Sequence, residues 1–342
     1  MYKNRSNQIP ILLVLTLSVP FSAVAWGQRG QEADRKTAAR DKVRVWRDPM
    51  DITSRNLFYG AGGEDSQPRG KLIFVRELLS GTNPKFVVRD ELGTIWGVKM
   101  GEEAQPETAA SRLVWAVGYF TDEEYYVPEL HVEGMRSLIR GQQFVSPDGT
   151  VRGARLKRFT NPDKRLGTWR WKENPFVGTK ALNGLRVMMQ LINNWDLKTV
   201  NNEIEEHEGP GGPELWFLVS DLGASFGTTN RTASRSRSKG NLKSYEDSTF
   251  ITNVTSAYVD FGVPSRPELV ALVSFREYFD RVREEWIGKR VPREDARWID
   301  RLLAQLSEEQ IADAFRAAGY SRPEVDGFTR VVKERIAVLN RL

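Results

Sequence analysis

The chain has 342 residues, with 50 lysines and arginines against 45 aspartates and glutamates, and its formal net charge of +5 is too small to indicate bulk nucleic-acid binding. Hydrophobic residues make up 40%, as in globular proteins, which argues against wholesale disorder. The absence of cysteine excludes disulfides, cysteine-ligated metal centres and a thiol nucleophile, and the two histidines, His131 and His207, are too few for a three-histidine metal site in one chain.

The N-terminus has the pattern of an export signal. Lys3 and Arg5 form a short positive region, an apolar run extends over residues 9–21, and small residues follow up to Ala25. We expect residues 1–25 to be a signal peptide that is cleaved, which leaves a periplasmic or secreted protein without stable membrane insertion. No later stretch of the sequence contains the ~20 apolar residues that a spanning helix needs.

A change of pattern at residue 71 separates an arm from a folded lobe. Residues 26–70 are polar and glycine-rich, and they predict an extended N-terminal arm. Three short β-type runs follow at 71–75, 85–89 and 94–100, with turn-forming residues between them. This pattern predicts an antiparallel meander.

Helical signals dominate the rest of the chain. Pro106 and Gly118 suit the start and the end of one helix, and apolar residues at helical spacing predict another from Lys180 to Asn194. Further helices are predicted from Pro267 to Gly288, from the capping box at Ser307 to Gly319, and from Arg322 onwards.

The order of these elements predicts an α+β fold with two lobes. The strands and the first helix would form a small, antiparallel, β-rich N-lobe over residues 71–132. Residues 133–342 would form a larger, mostly helical C-lobe. A site that needs residues from both lobes would lie between them.

A lysine and a glutamate in the N-lobe suit the binding of phosphates. Lys99 ends the third β-type run, and Glu107 opens the following helix. In phosphoryl transfer, a strand-borne lysine can hold the α- and β-phosphates and is itself held by a glutamate on a helix. Glu102 or Glu103 could take the place of Glu107 as the partner of this lysine.

Four polar residues of the C-lobe complete the pattern. The sequence D-x-K-x-x-N places Asp196, Lys198 and Asn201 after a predicted helix, and Asp221 stands at the end of an apolar strand. An aspartate in such a loop can accept the proton of an attacking hydroxyl, and a lysine beside it can offset charge on the moving phosphoryl group. Asn201 and Asp221 offer the oxygen ligands that Mg²⁺ prefers.

Three segments are similar to motifs of known kinases. Residues Asp196–Asn201 match the catalytic loop of protein kinases, and Asp221-Leu222-Gly223 corresponds to their D-F-G. The segment Ser80–Lys85 resembles the Ser…Pro phosphate loop of lipid kinases, and Asp221–Gly227 resembles the D-x-G…F-G of secreted kinases. Residues 71–340 thus resemble an atypical member of the protein-kinase-like superfamily, close to its phosphoinositide-kinase, HipA-type and Fam20-type branches.

The resemblance implies a kinase that binds ATP between two lobes with Mg²⁺ or Mn²⁺. Phosphate would pass to a hydroxyl of a protein, a sugar or another small substrate, without a nucleic-acid partner. The resemblance implies a catalytic role for Asp196 and Lys198. The implied nucleotide-binding residues are Ser80, Gly81, Thr82, Lys99, Glu107, Asn201 and Asp221, of which Asn201 and Asp221 would also bind the metal.

Three alternatives stay open. Asn194-Trp195 stands where most protein kinases have His-Arg, and ATP is scarce outside the cytoplasm, so the chain could be a kinase-shaped nucleotide-binding or scaffold protein without turnover. The same residues would also serve nucleotidyl transfer, with ATP bound in the reverse direction. In the third alternative the pattern is a coincidence, and the protein is structural or binds glycans.

Other patterns in the second half indicate surface segments. Residues Gly223–Gly227 fit G-x-S-x-G, but the α/β-hydrolase fold is excluded because no histidine follows Ser225. The acidic stretch at 203–208, which contains His207, predicts a solvated turn, with a metal-chelating Glu/His cluster as the alternative. The basic segment at 228–244 predicts a mobile surface loop, with the docking of anionic partners as the alternative.

Overall fold

The computed structural model describes residues 42–81, 83–159, 164–209, 211–228, 238–262 and 284–342. The signal peptide, the first part of the arm, Thr82, the middle of the basic segment and most of the helix predicted from Pro267 lie outside these described residues. Residues Val43–Leu342 form one compact unit of the chain. Among the helices of the described ranges, none is both long enough and apolar enough to cross a membrane.

The strands and helices have the following bounds. The strands are β1 (Val43–Arg44), β2 (Leu72–Leu78), β3 (Lys85–Arg89), β4 (Ile95–Met100), β5 (Glu124–Glu133), β6 (Thr150–Arg158), β7 (Arg165–Gly167), β8 (Asn202–Gly209), β9 (Gly212–Val219), β10 (Ile251–Val254), β11 (Tyr258–Phe261) and β12 (Val291–Pro292). The α-helices are α1 (Ala104–Ala116), α2 (Lys180–Leu191), α3 (Leu242–Glu246), α4 (Arg293–Leu303), α5 (Glu308–Ala317) and α6 (Arg322–Leu339).

Strands β2 to β6 close a small barrel in the order β2-β3-β4-β6-β5. Neighbouring strands are antiparallel except β2 and β5, whose parallel pairing closes the barrel. Alternate residues point inward, and Phe86, Val88, Trp96 and Val98 are almost fully buried in the barrel core. The meander predicted from the sequence is the β2–β4 part of this barrel. Because β6 completes it, the barrel extends beyond residue 132, at which the sequence placed the end of the N-lobe.

Helix α1 connects the barrel to the rest of the fold. It begins shortly before Pro106, and Ala109 and Leu113 on it are fully buried in the larger hydrophobic core. The helix is followed by Gly118, as predicted. The φ of Gly118 is +98°, and a Cβ at this position would lie 2.2 Å from the carbonyl oxygen of Arg47, so only glycine fits the turn.

The larger core lies among the remaining helices. The Thr179 hydroxyl caps α2 by accepting a hydrogen bond from the Leu182 N–H. Capping boxes open α5 at Ser307, as predicted, and α6 at Ser321. A β-barrel that precedes a larger, mostly helical part confirms the predicted two-lobed α+β fold.

The prediction of a solvated turn at residues 203–208 is wrong, because this stretch belongs to strand β8. Glu203 and Glu205 are buried in it. Arg165 Nε donates a hydrogen bond to Glu203 at 2.7 Å. The ring of His207 lies 3.0 Å from Glu205 Oε2. Arg165 compensates the buried charge of Glu203, and the His207 ring is a polar neighbour of Glu205, which composition alone does not reveal.

A small sheet occupies a region for which the sequence predicts helices. Strands β10, β11 and β12 form it in that order, with antiparallel pairing. Val259 and Phe261 of β11 are fully buried in the larger core. Their spacing of two residues is typical of a strand, but the strand is too short for a clear sequence pattern.

Candidate active site

The end of strand β4 carries a lysine that is surrounded by carboxylates. Lys99 is only 2% exposed. Its Nζ lies 2.6 Å from Glu107 Oε2, 3.1 Å from Glu103 Oε2 and 3.1 Å from Asp221 Oδ1. The ammonium donates hydrogen bonds to Glu103 and Asp221, and its contact with Glu107 is an ion pair. Residues of the barrel, of α1 and of the segment after β9 therefore meet at one point.

The mutual attraction of these groups keeps them charged despite their burial. Burial alone lowers the pKa of Lys99, but the charges of Glu107 and Asp221 outweigh it and raise this pKa. Burial alone raises the pKa of Asp221, and the attraction of Lys99 outweighs it, so that this pKa is lowered. Lys99 is therefore a cation and Asp221 an anion at neutral pH.

Helix α1 supplies both glutamates. Glu103 is the N-cap residue and Glu107 lies in the first turn, and residues four positions apart lie on the same face of a helix. The sequence left open whether Glu107, Glu102 or Glu103 pairs with the lysine. In the structure Glu107 and Glu103 both pair with Lys99, and Glu102 does not.

An arginine that the sequence analysis missed supports Glu107 from the other side. Arg155 Nη2 donates a hydrogen bond to Glu107 Oε1 at 2.8 Å, and its Nε lies 3.4 Å from Glu124 Oε2. Arg155 is directly opposite Lys99 in the pairing of β6 with β4, so both side chains lie on the same face of the barrel. No local sequence pattern indicates Arg155, because its role depends on the register of two strands that are distant in sequence.

The predicted catalytic loop lies against the segment that carries Asp221. The Asn201 side-chain amide donates a hydrogen bond to the backbone oxygen of Asp196 at 2.7 Å. The backbone oxygen of Asn201 accepts hydrogen bonds from the N–H groups of Ser220 and Asp221 at 2.8 and 3.4 Å. Lys198 Nζ lies 3.0 Å from Asp196 Oδ1. The loop thus holds its own aspartate and lysine together and fixes the position of Asp221.

A cavity of about 260 Å³ opens beside this cluster. The predicted site residues that line it are Ser80, Lys99, Glu107, Asn201 and Asp221. Asp196, Lys198 and Gly81 are not among its lining residues. The cavity also has apolar walls, including Val98 and Phe159, which suit a ligand that combines an apolar part with charged groups.

The loop between β2 and β3, predicted to bind phosphate, is held by one arginine. Arg140 Nη1 donates to the Gly81 carbonyl at 2.6 Å, and its Nη2 donates to the carbonyls of Leu78 and Ser80 at 2.9 and 3.4 Å. This arginine engages carbonyl oxygens that would otherwise repel a phosphate. The sequence analysis missed it, since it lies far along the chain from the loop.

Two side-chain oxygens at the site are suited to a divalent cation. Asp221 Oδ1 accepts from Lys99 and from the Gly223 N–H at 3.1 and 3.4 Å. Within the described residues, neither Asp221 Oδ2 nor Asn201 Oδ1 has a hydrogen-bond donor. Carboxylate and amide oxygens are ligands of Mg²⁺ and Mn²⁺, so these two residues fit such an ion.

The three carboxylates around Lys99 are paired with cations of the protein itself. One oxygen each of Glu103, Glu107 and Asp221 lie within 4.8 Å of one another, a spacing that a metal ion could bridge. The ammonium of Lys99 contacts all three carboxylates. Lys239 also pairs with Glu103, and Arg155 also pairs with Glu107, so that three cations of the protein face these three carboxylates.

No family model and no curated protein matches the chain. The chain is similar to solved structures of three kinases. The proinflammatory kinase CtkA of Helicobacter pylori has 9% identity and a TM-score of 0.44, and the match covers 80% of this chain and 97% of that one. The Golgi casein kinase with Mn and ADP bound has 9% identity and a TM-score of 0.36, and the match covers 96% and 93%.

The Rio2 kinase of Chaetomium thermophilum, in its ADP, Mg²⁺ and phosphoaspartate complex, also matches, with 9% identity and a TM-score of 0.30 over 79% of this chain and 72% of that one. All three TM-scores are below 0.5. Similarities of this strength do not show a function. The chemistry of the site follows instead from the positions of Lys99, Glu107, Asn201 and Asp221 around one cavity.

Proposed function

We propose that the chain is a kinase-like phosphotransferase that transfers the γ-phosphate of ATP to a hydroxyl group, with Mg²⁺ or Mn²⁺. The observation that carries this proposal is the position of Lys99 Nζ, 2.6 Å from Glu107 and 3.1 Å from Asp221 at the edge of one cavity. Phosphoryl transfer depends on positioning and on charge stabilisation, and this cluster supplies both.

Lys99 would contact the phosphates after exchanging one of its three carboxylate partners. Asp221 is the partner best placed for this exchange, because its side chain is 36% exposed, whereas those of Glu103 and Glu107 are 9% and 2% exposed. Asp221 and Asn201 would hold the divalent ion. When bound, this ion would offset the negative charge of the phosphate oxygens.

Asp196 would accept the proton of the substrate. The hydroxyl oxygen forms a bond to the γ-phosphorus while the bond from this phosphorus to the β–γ bridging oxygen breaks, ADP leaves, and the hydroxyl proton passes to the Asp196 carboxylate. Lys198, 3.0 Å from this carboxylate, would orient it and would offset charge on the transferred group.

A second candidate is a nucleotide-binding protein without turnover. Asp196 is engaged by Lys198 and does not line the cavity, which favours this alternative. Nucleotidyl transfer is a further candidate, because it would use the same residues with ATP reversed. ATP labelled at either the α- or the γ-phosphate distinguishes the three candidates, by which label is transferred or by the absence of transfer.

The test uses the purified protein with ATP labelled at either the α- or the γ-phosphate, Mg²⁺ or Mn²⁺, and a mixture of protein and sugar acceptors. We expect transfer of the γ-label only, which Asp196→Ala and Lys99→Met abolish and the exposed control Lys243→Met retains. Transfer of the α-label would indicate nucleotidyl transfer. Binding of ATP without transfer of either label would favour the second candidate, and absence of both binding and transfer would contradict the proposal.

We also propose that the protein is exported. The positive region, the apolar run and the small residues before Trp26 support this proposal. Fractionation of expressing cells, followed by N-terminal sequencing of the exported chain, tests it. A mature chain that begins near Trp26 is expected, and a full-length chain that stays in the cytoplasm would contradict the proposal.

A further inference from the structure

A row of three cations crosses the face of the barrel that borders the cavity. Lys85 on β3 is directly opposite Lys99 on β4, and Lys99 is directly opposite Arg155 on β6. Directly opposed residues of neighbouring strands present their side chains on the same face. All three residues line the cavity of about 260 Å³.

Two of these cations are compensated and the third is not. Lys99 pairs with Glu103, Glu107 and Asp221, and Arg155 pairs with Glu107 and Glu124, over the distances given above. Among the described residues, no carboxylate lies within ion-pairing distance of Lys85, and no hydrogen-bond acceptor engages its ammonium. The lysine is nevertheless partly buried.

Partial burial of a cation without a paired anion costs free energy, and this cost is evident in the pKa of Lys85. Burial lowers the pKa of Lys85 and the neighbouring charge of Lys99 lowers it further, while the more distant charges of Asp221 and Glu107 offset part of this effect without cancelling it. An anion in the cavity would remove the cost. A carboxylate of the protein could have done so, as for Lys99 and Arg155, but such a group would also repel a phosphate.

The loop next to Lys85 also favours an anionic ligand in the cavity. Ser80 lines the cavity, and a Cβ on Gly81 would lie 3.4 Å from Lys85 Nζ, so the ammonium is close to the loop backbone. Arg140 engages the carbonyls of Ser80 and Gly81. The ammonium of Lys85 therefore lies beside a loop in which Arg140 already engages two carbonyl oxygens.

We propose that Lys85 binds the terminal phosphates of a nucleotide or of another polyphosphate, in addition to the contact that Lys99 would make with the phosphates. The inference rests on the proposed function for the identity of the nucleotide. Lys85 would contact only the phosphates of this ligand and not its adenosine part. Lys85 would thus set the preference of the site for ligands with several phosphates.

The test measures binding of adenosine, AMP, ADP, ATP and inorganic tripolyphosphate by calorimetry in the presence of Mg²⁺. For Lys85→Met we expect the Kd for ATP and for tripolyphosphate to rise about tenfold or more, the value expected for the loss of a charge-assisted hydrogen bond. The Kd for AMP should change less, and that for adenosine should stay within about twofold. Lys85→Arg should retain most of the affinity for ATP.

The matched control is Arg89→Met, which removes a cation from the same strand outside the cavity. It should leave all the affinities unchanged. Thermal unfolding of each variant without ligand verifies that it folds. The inference is overturned if Lys85→Met binds ATP and tripolyphosphate like the wild type, or if it loses affinity equally for adenosine and ATP.

The same data separate this inference from the proposed function. Lys85-dependent binding of tripolyphosphate and ATP, without transfer of label, would support the role of Lys85 and contradict phosphoryl transfer. Transfer of label that is unaffected by Lys85→Met, with unchanged affinities, would support the proposed function and overturn the role of Lys85. A wild-type protein that binds none of the five probes would contradict both.

Discussion

Lys99 is the residue on which the site depends, because two buried carboxylates and a partly exposed one surround its ammonium. If it is replaced by methionine, Glu103, Glu107 and Asp221 repel one another in a place from which water is largely excluded. Breaking a buried ion pair by removing one partner costs about 3–5 kcal/mol. We expect Lys99→Met to lower the free energy of unfolding in urea by an amount of this order.

The control for this prediction is Lys71→Met in the same lobe. Lys71 pairs with Glu133 at 2.9 Å, but its side chain is 73% exposed, so the pair is screened by water and contributes little. The prediction fails if the two variants lose the same stability. Such a result would mean that the Lys99 cluster is open to solvent.

Glu124 gives the site a dependence of stability on pH. Burial raises the pKa of Glu124 from 4.5 to about 7, and the attraction of Arg155 reduces this effect without cancelling it. Because the folded state holds this proton more tightly than the unfolded state, the contribution of Glu124 to stability is greatest below pH 4.5. It falls as the pH rises towards 7 and is constant above that.

This prediction is checked by urea unfolding of the wild type and of Glu124→Gln between pH 5 and pH 8. The wild type should lose stability relative to the variant over this range, and the difference should level off near neutral pH. A difference that does not change with pH, or a wild type that gains stability relative to the variant, would contradict the assignment.

Some residues of the site can be predicted from the sequence alone. Lys99, Glu107, Asp196, Asn201 and Asp221 are recognisable because their chemistry and their order along the chain limit the reactions that they could serve. The cations of the barrel that lie next to Lys99 are not recognisable in this way. Their positions depend on which residues of separate strands are paired, and this register follows from packing across the whole barrel.

At the scale of elements, helix α1 is held at its start by a residue from the segment after β9. Lys239 Nζ lies 2.6 Å from Glu103 Oε1, and Glu103 also pairs with Lys99. The side chains of Lys239 and Glu103 are 17% and 9% exposed, so water screens the pair weakly. The pair links the basic segment to the start of the helix that carries Glu107.

A double-mutant cycle of Glu103→Gln and Lys239→Met measures this link. We expect the two variants to be non-additive by about 1–2 kcal/mol in unfolding free energy, as for a contacting pair of low exposure. The exposed pair of Lys243 on α3 and Asp247, the residue that follows this helix, is the control and should be nearly additive. Additivity of both cycles would show that Lys239 does not stabilise the start of α1.

Gly118 ends the same helix, and its replacement by alanine should be costly. The φ of +98° is unfavourable for alanine, and the added Cβ would collide with the Arg47 backbone. Gly63, with a φ of +68° and no atom within 4 Å of an added Cβ, is the control for the φ effect alone. Gly118→Ala should lower the melting temperature more than Gly63→Ala, and equal losses would contradict the clash.

Element boundaries follow from the sequence where a single residue type determines them. Gly118 and the Ser307 capping box mark helix ends by their own backbone and side-chain chemistry. Strand β8 was misread because its acidic residues are buried only in combination with distant cations. Strands β10 and β11 were missed because short strands give weak periodic signals.

At the scale of the whole molecule, two hydrophobic cores meet at the site. The barrel has its own core, and α1 packs into the larger core of the mostly helical part. Lys99 belongs to the barrel, Glu107 to α1 and Asp221 to the segment after β9. The strands β2–β4, helix α1 after them and the helical C-terminus were predictable from the sequence. The closure of the barrel was not, because the parallel pairing of β2 with β5 joins segments that are distant along the chain.

The central claim is that these three parts form one binding site for ATP and a divalent ion. Calorimetric titration of ATP with Mg²⁺ into the wild type and into Asp221→Asn tests it most directly. Asp221→Asn keeps the size of the side chain but removes the charge that would hold the ion, so we expect binding to the wild type and a loss of affinity of about tenfold or more in the variant. Equal affinities for the two proteins, or no binding to the wild type, would contradict the claim.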